Sequence, residues 1–268
     1  MRAISLVIGA TLGLVTSVAL LPSSALAEIE ITAAFKDFAG ENSDMFQKNG
    51  DASVQGESLR LTRPVGTLYG TAFYKNLISL PSDRSFSSYF TFTLTKPGCG
   101  TGGGADGLTF IVQTDSSSVG SMGGGLGYAG ILPSIAVEFD TFKNTEYSDP
   151  SANHIGISLD GNPESVATVE APFSLIDGRM YHAWVEYDGT KGVLEVRFSD
   201  TDSRPSRPIL SHKVDLKTVI GSEVFVGFTA ATGSCHEQHD VNSFYFHADQ
   251  VGGGIDTSLD QYLTAAGN

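Results

Sequence analysis

The sequence predicts an all-β fold, an antiparallel β-sandwich. Three observations carry that expectation. Short runs alternate apolar and polar residues with a period of two, as in FTFTL at 90–94, which puts Phe90, Phe92 and Leu94 on one face. Gly, Asp, Asn and Ser bound these runs as turn formers. Helical periodicity is nearly absent, with one short hint around Leu216 to Ile220. Many short strands separated by turns pack most simply as two antiparallel sheets.

In chain order, residues 1–27 read as a secretory signal peptide. Arg2 gives a positive start, an apolar run covers Ala3 to Leu21, and Ala25-Leu26-Ala27 supplies the small residues a signal peptidase needs. A retained membrane anchor is the alternative, and the lack of a charged stop-transfer flank argues against it. No other run is long enough to span a bilayer. The expected location is therefore secreted or periplasmic. Cleavage after Ala27 leaves about 241 residues, room for one large β domain or two small ones. No internal repeat or Pro-rich linker divides them, so one domain is expected over 28–248.

The chain carries 16 Lys and Arg against 30 Asp and Glu, a formal net charge of −14. Such a surface repels nucleic acid, and no basic patch offsets it. The acidity suits cation binding and simple solubility alike. Two cysteines, Cys99 and Cys235, form either one disulfide in an oxidising compartment or two free thiols. No Asn-x-Ser/Thr acceptor occurs, which favours a bacterial over a secreted eukaryotic source.

Alternation continues in GLTFIVQ at 107–113 and then in HAWVEYDG, GVLEVRF, VFVGFTA and VNSFYFH. YDGTKG at 187–192 reads as a hairpin turn. Trp184 and Tyr187 read as packing residues and His239 as a structural, hydrogen-bonded histidine. His182, His212 and His247 have no evident partner. From Ala248 the alternation is lost, and residues 249–268 read as a mobile end or a short docking segment.

The segment VEFDTFKNTEYSDPSANH at 137–154 concentrates metal-ligating residue types. Glu138, Asp140, Phe142 and Asn144 are spaced by two, which on a strand points them to one side. Val137, Phe139 and Thr141 would then face the core. Asp149 follows a polar loop, and His154 opens the next strand, HIGIS. Carboxylate, amide and carbonyl oxygens suit Ca²⁺. Carboxylates with one imidazole suit Mn²⁺ or another transition ion. Without cations these carboxylates would repel one another. An ordinary acidic loop is the plainer alternative, and the spacing together with the lone His argues against it.

This segment, VEFDTFKN…DP…HIGI, resembles the metal-binding signature of the legume-type (L-type) lectins. MFQKNGDASVQGESLRLT, GTAFY, FSSYFTFTL, ADGLTFIV, GGGLGY and VGFTAATG…HDVNSFYF also look like family segments in the family's order. The resemblance covers most of residues 30 to 248. It implies a concanavalin-like jelly-roll sandwich with a back sheet, a front sheet and a small top sheet. It also implies that Glu138, Asp140, Asp149 and His154 hold the transition ion. Ca²⁺ would take Asp140, the Phe142 carbonyl, Asn144 and Asp149.

The resemblance further implies a saccharide site. Asp106, after a glycine-rich loop and a cis Ala105–Asp106 bond, would accept hydrogen bonds from two sugar hydroxyls. In GGGLG at 123–127, an N–H of Gly125, with Gly124 as rival, would donate to a sugar oxygen. Asn144 would bridge Ca²⁺ and the sugar, and the Phe142 ring would pack on the sugar's apolar face. Ser234, Cys235 and His236, in a loop that departs from the family's specificity loop, would line the remaining wall. Cys99 leads into the Asp106 loop, so a Cys99–Cys235 disulfide beside the site is expected.

The implied function is metal-dependent glycan binding without catalysis. The alternative is a glycoside hydrolase on a similar sandwich. Laminarinase-type hydrolases carry E-x-D-x-x-E on one strand; here the third slot is Lys143, which supplies no carboxylate. A two-metal phosphatase or nuclease would need a further base or an Arg cluster, and neither appears in these motifs. A shallow one-sugar site in the mM range gains only about 4 kcal/mol. Useful avidity then calls for several sites, hence a homo-oligomer.

Overall fold

The alternating runs become strands, and alternation sets which side of a strand faces the sandwich core, although the strands at 107–113 and 134–140 are buried on both faces. The structure is a computed structural model that describes residues 32–248 apart from 101, 116, 117 and 119. The signal-peptide and tail readings, residues 1–27 and 249–268, lie outside the described residues. The strands are β1 (Ala33–Phe35), β2 (Phe46–Gly50), β3 (Ser53–Gln55), β4 (Ser58–Thr62), β5 (Tyr69–Tyr74), β6 (Ile78–Ser79), β7 (Phe86–Thr95) and β8 (Gly107–Gln113). They continue with β9 (Ser134–Asp140), β10 (His154–Leu159), β11 (Ala167–Glu170), β12 (Tyr181–Asp188), β13 (Val193–Ser199), β14 (Leu210–Lys213), β15 (Glu223–Ala231) and β16 (Gln238–Ala248).

Two antiparallel sheets form the sandwich. The back sheet runs β14-β13-β12-β7-β16-β4-β3, with β1 also on β16. The front sheet runs β11-β10-β9-β8-β15-β5-β2, with β6 at the end of β15. Among the described residues the implied top sheet is reduced to that two-residue β6 pairing. Inward-facing phenylalanines from both sheets interdigitate. Phe92 of the back sheet meets Phe139 of the front sheet at 4.8 Å between ring centroids, and Phe90 meets Phe228 at 5.1 Å. Such edge-on and tilted pairs add to the burial of apolar area that holds the two layers together.

The local readings fare well with two exceptions. The 187–192 turn closes as expected: Asp188 Oδ1 accepts from Thr190 N at 3.0 Å, and Gly192 takes φ +63°. The hint near Leu216 is a single 3-10 turn, Leu216–Thr218, whose Asp215 cap accepts from Lys217 N. Tyr187 packs in the core, and Trp184 joins Tyr89 and Tyr245 in a separate buried cluster. His182, read as partnerless, is bonded: its Nδ1 lies 2.8 Å from the Tyr89 hydroxyl. The two rings stand on β12 and β7, far apart in sequence, so only strand pairing reveals the contact.

The second exception concerns the metal segment. Strand β9 stops at Asp140, so the two-residue periodicity carries only Glu138 and Asp140. Phe142 and Asn144 lie in a loop that folds back. Val137 and Phe139 do face the core. Thr141 is buried but polar-bonded rather than packed in the apolar core: its Oγ1 donates to Glu237 Oε1 at 2.7 Å.

Candidate functional site

Three adjacent strands of the front sheet set the site. In their register Asp140 of β9 lies between Gly107 of β8 and His154 of β10. Glu138 lies one step along, opposite Gly156. A Cβ on Gly156 would fall 2.3 Å from Glu138 Oε1, so a glycine there gives the carboxylate its room. Gly107 takes φ +124°, and a Cβ there would stand 2.3 Å from Phe139 O.

Glu138, Asp140, Asp149 and His154 come together out of water, His154 at 0% and Glu138 at 1% relative exposure. His154 Nδ1 lies 2.9 Å from Ser151 O, a bond that puts a proton on Nδ1, so that in the neutral ring Nε2 keeps a bare lone pair. That Nε2 is buried without a hydrogen-bond partner. It lies 3.7 Å from Glu138 Oε1 and 3.9 Å from Asp149 Oδ1, too far for hydrogen bonds. Ligands each about 2.1 Å from one ion stand about 3–4 Å apart, so the spacing suits a shared cation. Ligand atoms of Asp140, Asp149 and His154 all lie within 4.8 Å of one another.

The surrounding groups hold these ligands in place. Glu138 accepts from the Tyr128 hydroxyl at 2.8 Å and from the Ser165 hydroxyl. Asp140 Oδ1 accepts from Phe142 N at 2.8 Å, and Asp149 Oδ2 accepts from Asn144 N at 2.6 Å. These two bonds fold the 141–149 loop back over the strand end. They leave Asn144 Oδ1 buried without a partner. Nothing in the sequence pattern pointed to Tyr128, Ser165 or Ser151 as supports.

Electrostatics tell the same story. Burial pushes Asp140 well above the usual carboxylate range, and the charges of Glu138 and Asp149 push it further. Asp149 is raised as well, chiefly by burial. Burial pulls His154 down, but the carboxylates of Glu138 and Asp149 outweigh it and the net direction is up. A divalent cation would reverse this strain, favouring ionised carboxylates and a neutral imidazole.

Asp106 sits beside this cluster. The Ala105–Asp106 bond is cis, as the resemblance implies. Asp106 O accepts from Thr141 N at 3.0 Å, and Asp106 N donates to Ala231 O at 3.0 Å. Its side chain is 3% exposed, and Oδ2 has no partner. Burial raises its pKa to about 7, against a lowering influence from His239 and a further raising one from Glu237.

The loops that carry the other expected site residues meet next to Asp106 at Gly233: a Cβ there would stand 3.5 Å from Asp106 Oδ2 and 3.7 Å from Gly123 Cα. Gly124 abuts the Asn144 amide, where a Cβ would come within 2.5 Å. Gly125 is buried, and its N–H is directed to Met122 O at 3.3 Å. Phe142 is half-buried and stands outside the apolar clusters. Ser234 is exposed, while Cys235 and His236 are half-buried.

Cys99 and Cys235 form a disulfide that closes a separation of 136 residues. Gly98 N donates to His236 O at 2.8 Å, and the His236 ring covers Gly98 so closely that a Cβ there would fall 2.0 Å from Nε2. The loop entering Asp106 and the loop after β15 are therefore one cross-linked wall. Lys143, in the slot where the hydrolase pattern wants a carboxylate, is exposed and donates to Pro150 O at 3.0 Å.

The Legume lectin domain family matches residues 31–260. Lectin DB58 of Vigna unguiculata subsp. cylindrica is 32% identical over 233 residues, covering 80% of this chain and 81% of that protein. The L-type lectin-domain containing receptor kinase VIII.1 of Arabidopsis thaliana is 33% identical over 213 residues, 74% of this chain but only 29% of its own length. The chain thus spans under a third of that receptor kinase. Among solved structures, a Bauhinia forficata lectin in complex with GalNAc superposes with a TM-score of 0.71 at 28% identity, covering 82% of this chain and 98% of that one. A metal-free form of lectin I-B4 from Griffonia simplicifolia gives 0.70 at 30% identity, covering 81% and 99%. These relatives are plant proteins, so the bacterial source favoured by the missing glycosylation acceptor gains no support from them. With the family match running over most of its length, this chain belongs to the legume lectin domain family.

Proposed function

We propose that the chain is an exported, non-catalytic lectin whose saccharide pocket is shaped by Ca²⁺ and a transition ion such as Mn²⁺. The observation that carries this is the juxtaposition of Asp106, with an unpaired buried oxygen, and a cation-ready cluster whose imidazole nitrogen is also unpaired. Glu138, Asp140, Asp149 and His154 would hold the transition ion. Asp140, Asp149, Asn144 and the Phe142 carbonyl would hold Ca²⁺. When bound, the cations supply positive charge that neutralises the carboxylates and fixes the 141–149 loop.

Asp106 then accepts from two sugar hydroxyls, and the Asn144 amide donates to a third. Gly124, beside that amide, is the favoured backbone donor in place of Gly125, whose N–H is already directed to Met122. The Phe142 ring offers an apolar face, and Ser234, Cys235 and His236 form the wall that selects among sugars. The Bauhinia relative's GalNAc complex makes galactose-type sugars the first to try.

The test is glycan-array binding with and without EDTA, beside an assay for released reducing sugar. Binding abolished by EDTA, with no release, is expected; glycan turnover would remove the lectin reading in favour of the hydrolase. Asp106→Ala should abolish sugar binding while the protein keeps its cation-dependent rise in Tm, as followed by calorimetry. Reducing the Cys99–Cys235 bond frees two walls of the pocket, so ordering them must be repeated at each binding event. Surface plasmon resonance with reductant should then show dissociation faster by about threefold to tenfold, equivalent to roughly 1 kcal/mol of ordering cost.

A further inference from the structure

Glu237 is a buried carboxylate beside the cation cluster that belongs to neither proposed coordination set. It is the last residue before β16 and is fully buried, at 0% exposure. Its Oε1 accepts from Thr141 Oγ1 at 2.7 Å and lies 3.0 Å from His239 Nε2. Thr141 immediately follows Asp140, and Thr141 N donates to Asp106 O at 3.0 Å. His239 Nε2 also lies 3.2 Å from Gly107 N, and Nδ1 lies 2.6 Å from Thr62 Oγ1. Oε2 has no partner and faces Gly104, where a Cβ would come within 1.9 Å.

One side chain therefore meets three loops: the cation loop at Thr141, the saccharide loop at Gly104 and, through His239, Gly107, and its own wall loop. A buried, charge-assisted hydrogen bond is short and directional, and breaking one partner strands the other. The absent side chain of Gly104 lets the saccharide loop descend onto the carboxylate. We propose that Glu237 is a positioning residue that locks the cation loop and the Asp106 loop in one register, so that Asp106 and Asn144 address the same saccharide. This rests on the lectin reading above. Glu237 contacts neither sugar nor ion.

The test compares the full protein with Glu237→Ala, Glu237→Gln and Thr141→Val at saturating Ca²⁺ and Mn²⁺, using galactose and mannose as probes. Glu237→Ala and Thr141→Val should each weaken sugar binding by about tenfold, with cation affinity shifted by less than about threefold. Combining them should add little, because they remove one shared interaction. Glu237→Gln should restore most of the affinity, since its amide oxygen still accepts from Thr141. Hydrogen exchange at the Gly107 and Thr141 amides should quicken in Glu237→Ala and Thr141→Val but not in Glu237→Gln. A folded Thr141→Val protein with unchanged affinity and unchanged exchange would overturn the proposal. So would Glu237→Gln binding as weakly as Glu237→Ala with an equal loss of Tm, the sign of a purely structural residue. Should the unmodified protein bind no glycan, the lectin reading fails, and exchange at these two amides still decides the role of Glu237.

Discussion

Asp140→Ala should remove divalent-cation binding and glycan binding together, and should do so without unfolding the protein. Asp140 belongs to both proposed coordination sets, and its Oδ1 also accepts from Phe142 N. Losing it takes away a ligand and the bond that turns the chain into the 141–149 loop. A cation at about 100 times its Kd stabilises a folded protein by roughly 2.7 kcal/mol. For a domain of this size that is a Tm increase of about 5–10 °C. Calorimetry should find that increase in the unmodified protein and its loss in the variant. The readout is the loss of the cation-induced increase, measured against the metal-free Tm of the same variant, because the substitution also removes the hydrogen bond from Phe142 N. Full sugar affinity in Asp140→Ala would defeat the cation-scaffold mechanism.

The second large effect is on pH. In metal-free protein, stability should fall as pH rises from about 4 to about 7. Asp106 carries a folded pKa of about 7, raised first by burial, against an ordinary value of 3.8. Across that interval the unfolded chain has released the proton and the folded protein still binds it, so each step upward favours unfolding. Asp140 and Asp149 are also raised above 3.8 and act in the same direction. His154, raised above 6.5, adds stability below that value which is lost as pH climbs through its folded pKa. Four groups thus share one sign. Saturating Ca²⁺ and Mn²⁺ should flatten or invert the trend, because cations favour the ionised carboxylates. Melting curves at stepped pH, with and without EDTA, would measure it. A metal-free Tm that rises steadily over this interval would show that the cluster is not strained as described.

Sugar binding should follow the complementary course. As the proposed acceptor of sugar hydroxyls, Asp106 should serve best when ionised, so affinity should grow with pH until that carboxylate is fully charged. Nearby cations lower the pH at which this happens.

Much of this was legible in the residues themselves. Period-two alternation in FTFTL and GLTFIVQ gave β7 and β8 with the sides that face the sandwich core, because alternation is a local property of a strand; that β8 is buried on its other face too was not legible. Asp140, Asp149 and His154 were legible because their spacing in the segment is short. Phe142 and Asn144 were read on the same strand face and in fact lie beyond its end. Side-chain bonds from Asp140 and Asp149 to the loop's own N–H groups end the strand there, and alternation does not record such bonds. The His182–Tyr89 bond and the Glu237 network were invisible for another reason: their partners lie 93 and 96 residues apart, respectively.

The chain by itself determined the layered β architecture and the ligand types in the 137–154 segment. Each follows from local periodicity or from chemical identity, whereas the choice between a disulfide and two free thiols was settled by the approach of Cys99 and Cys235 in the fold. The tertiary structure alone decided which nitrogen of His154 is left bare, that Gly124 rather than Gly125 stands against Asn144, and that Glu237 joins three loops. Those outcomes depend on the register of distant strands and on which groups end up excluded from water, and neither quantity exists until the sheets have paired.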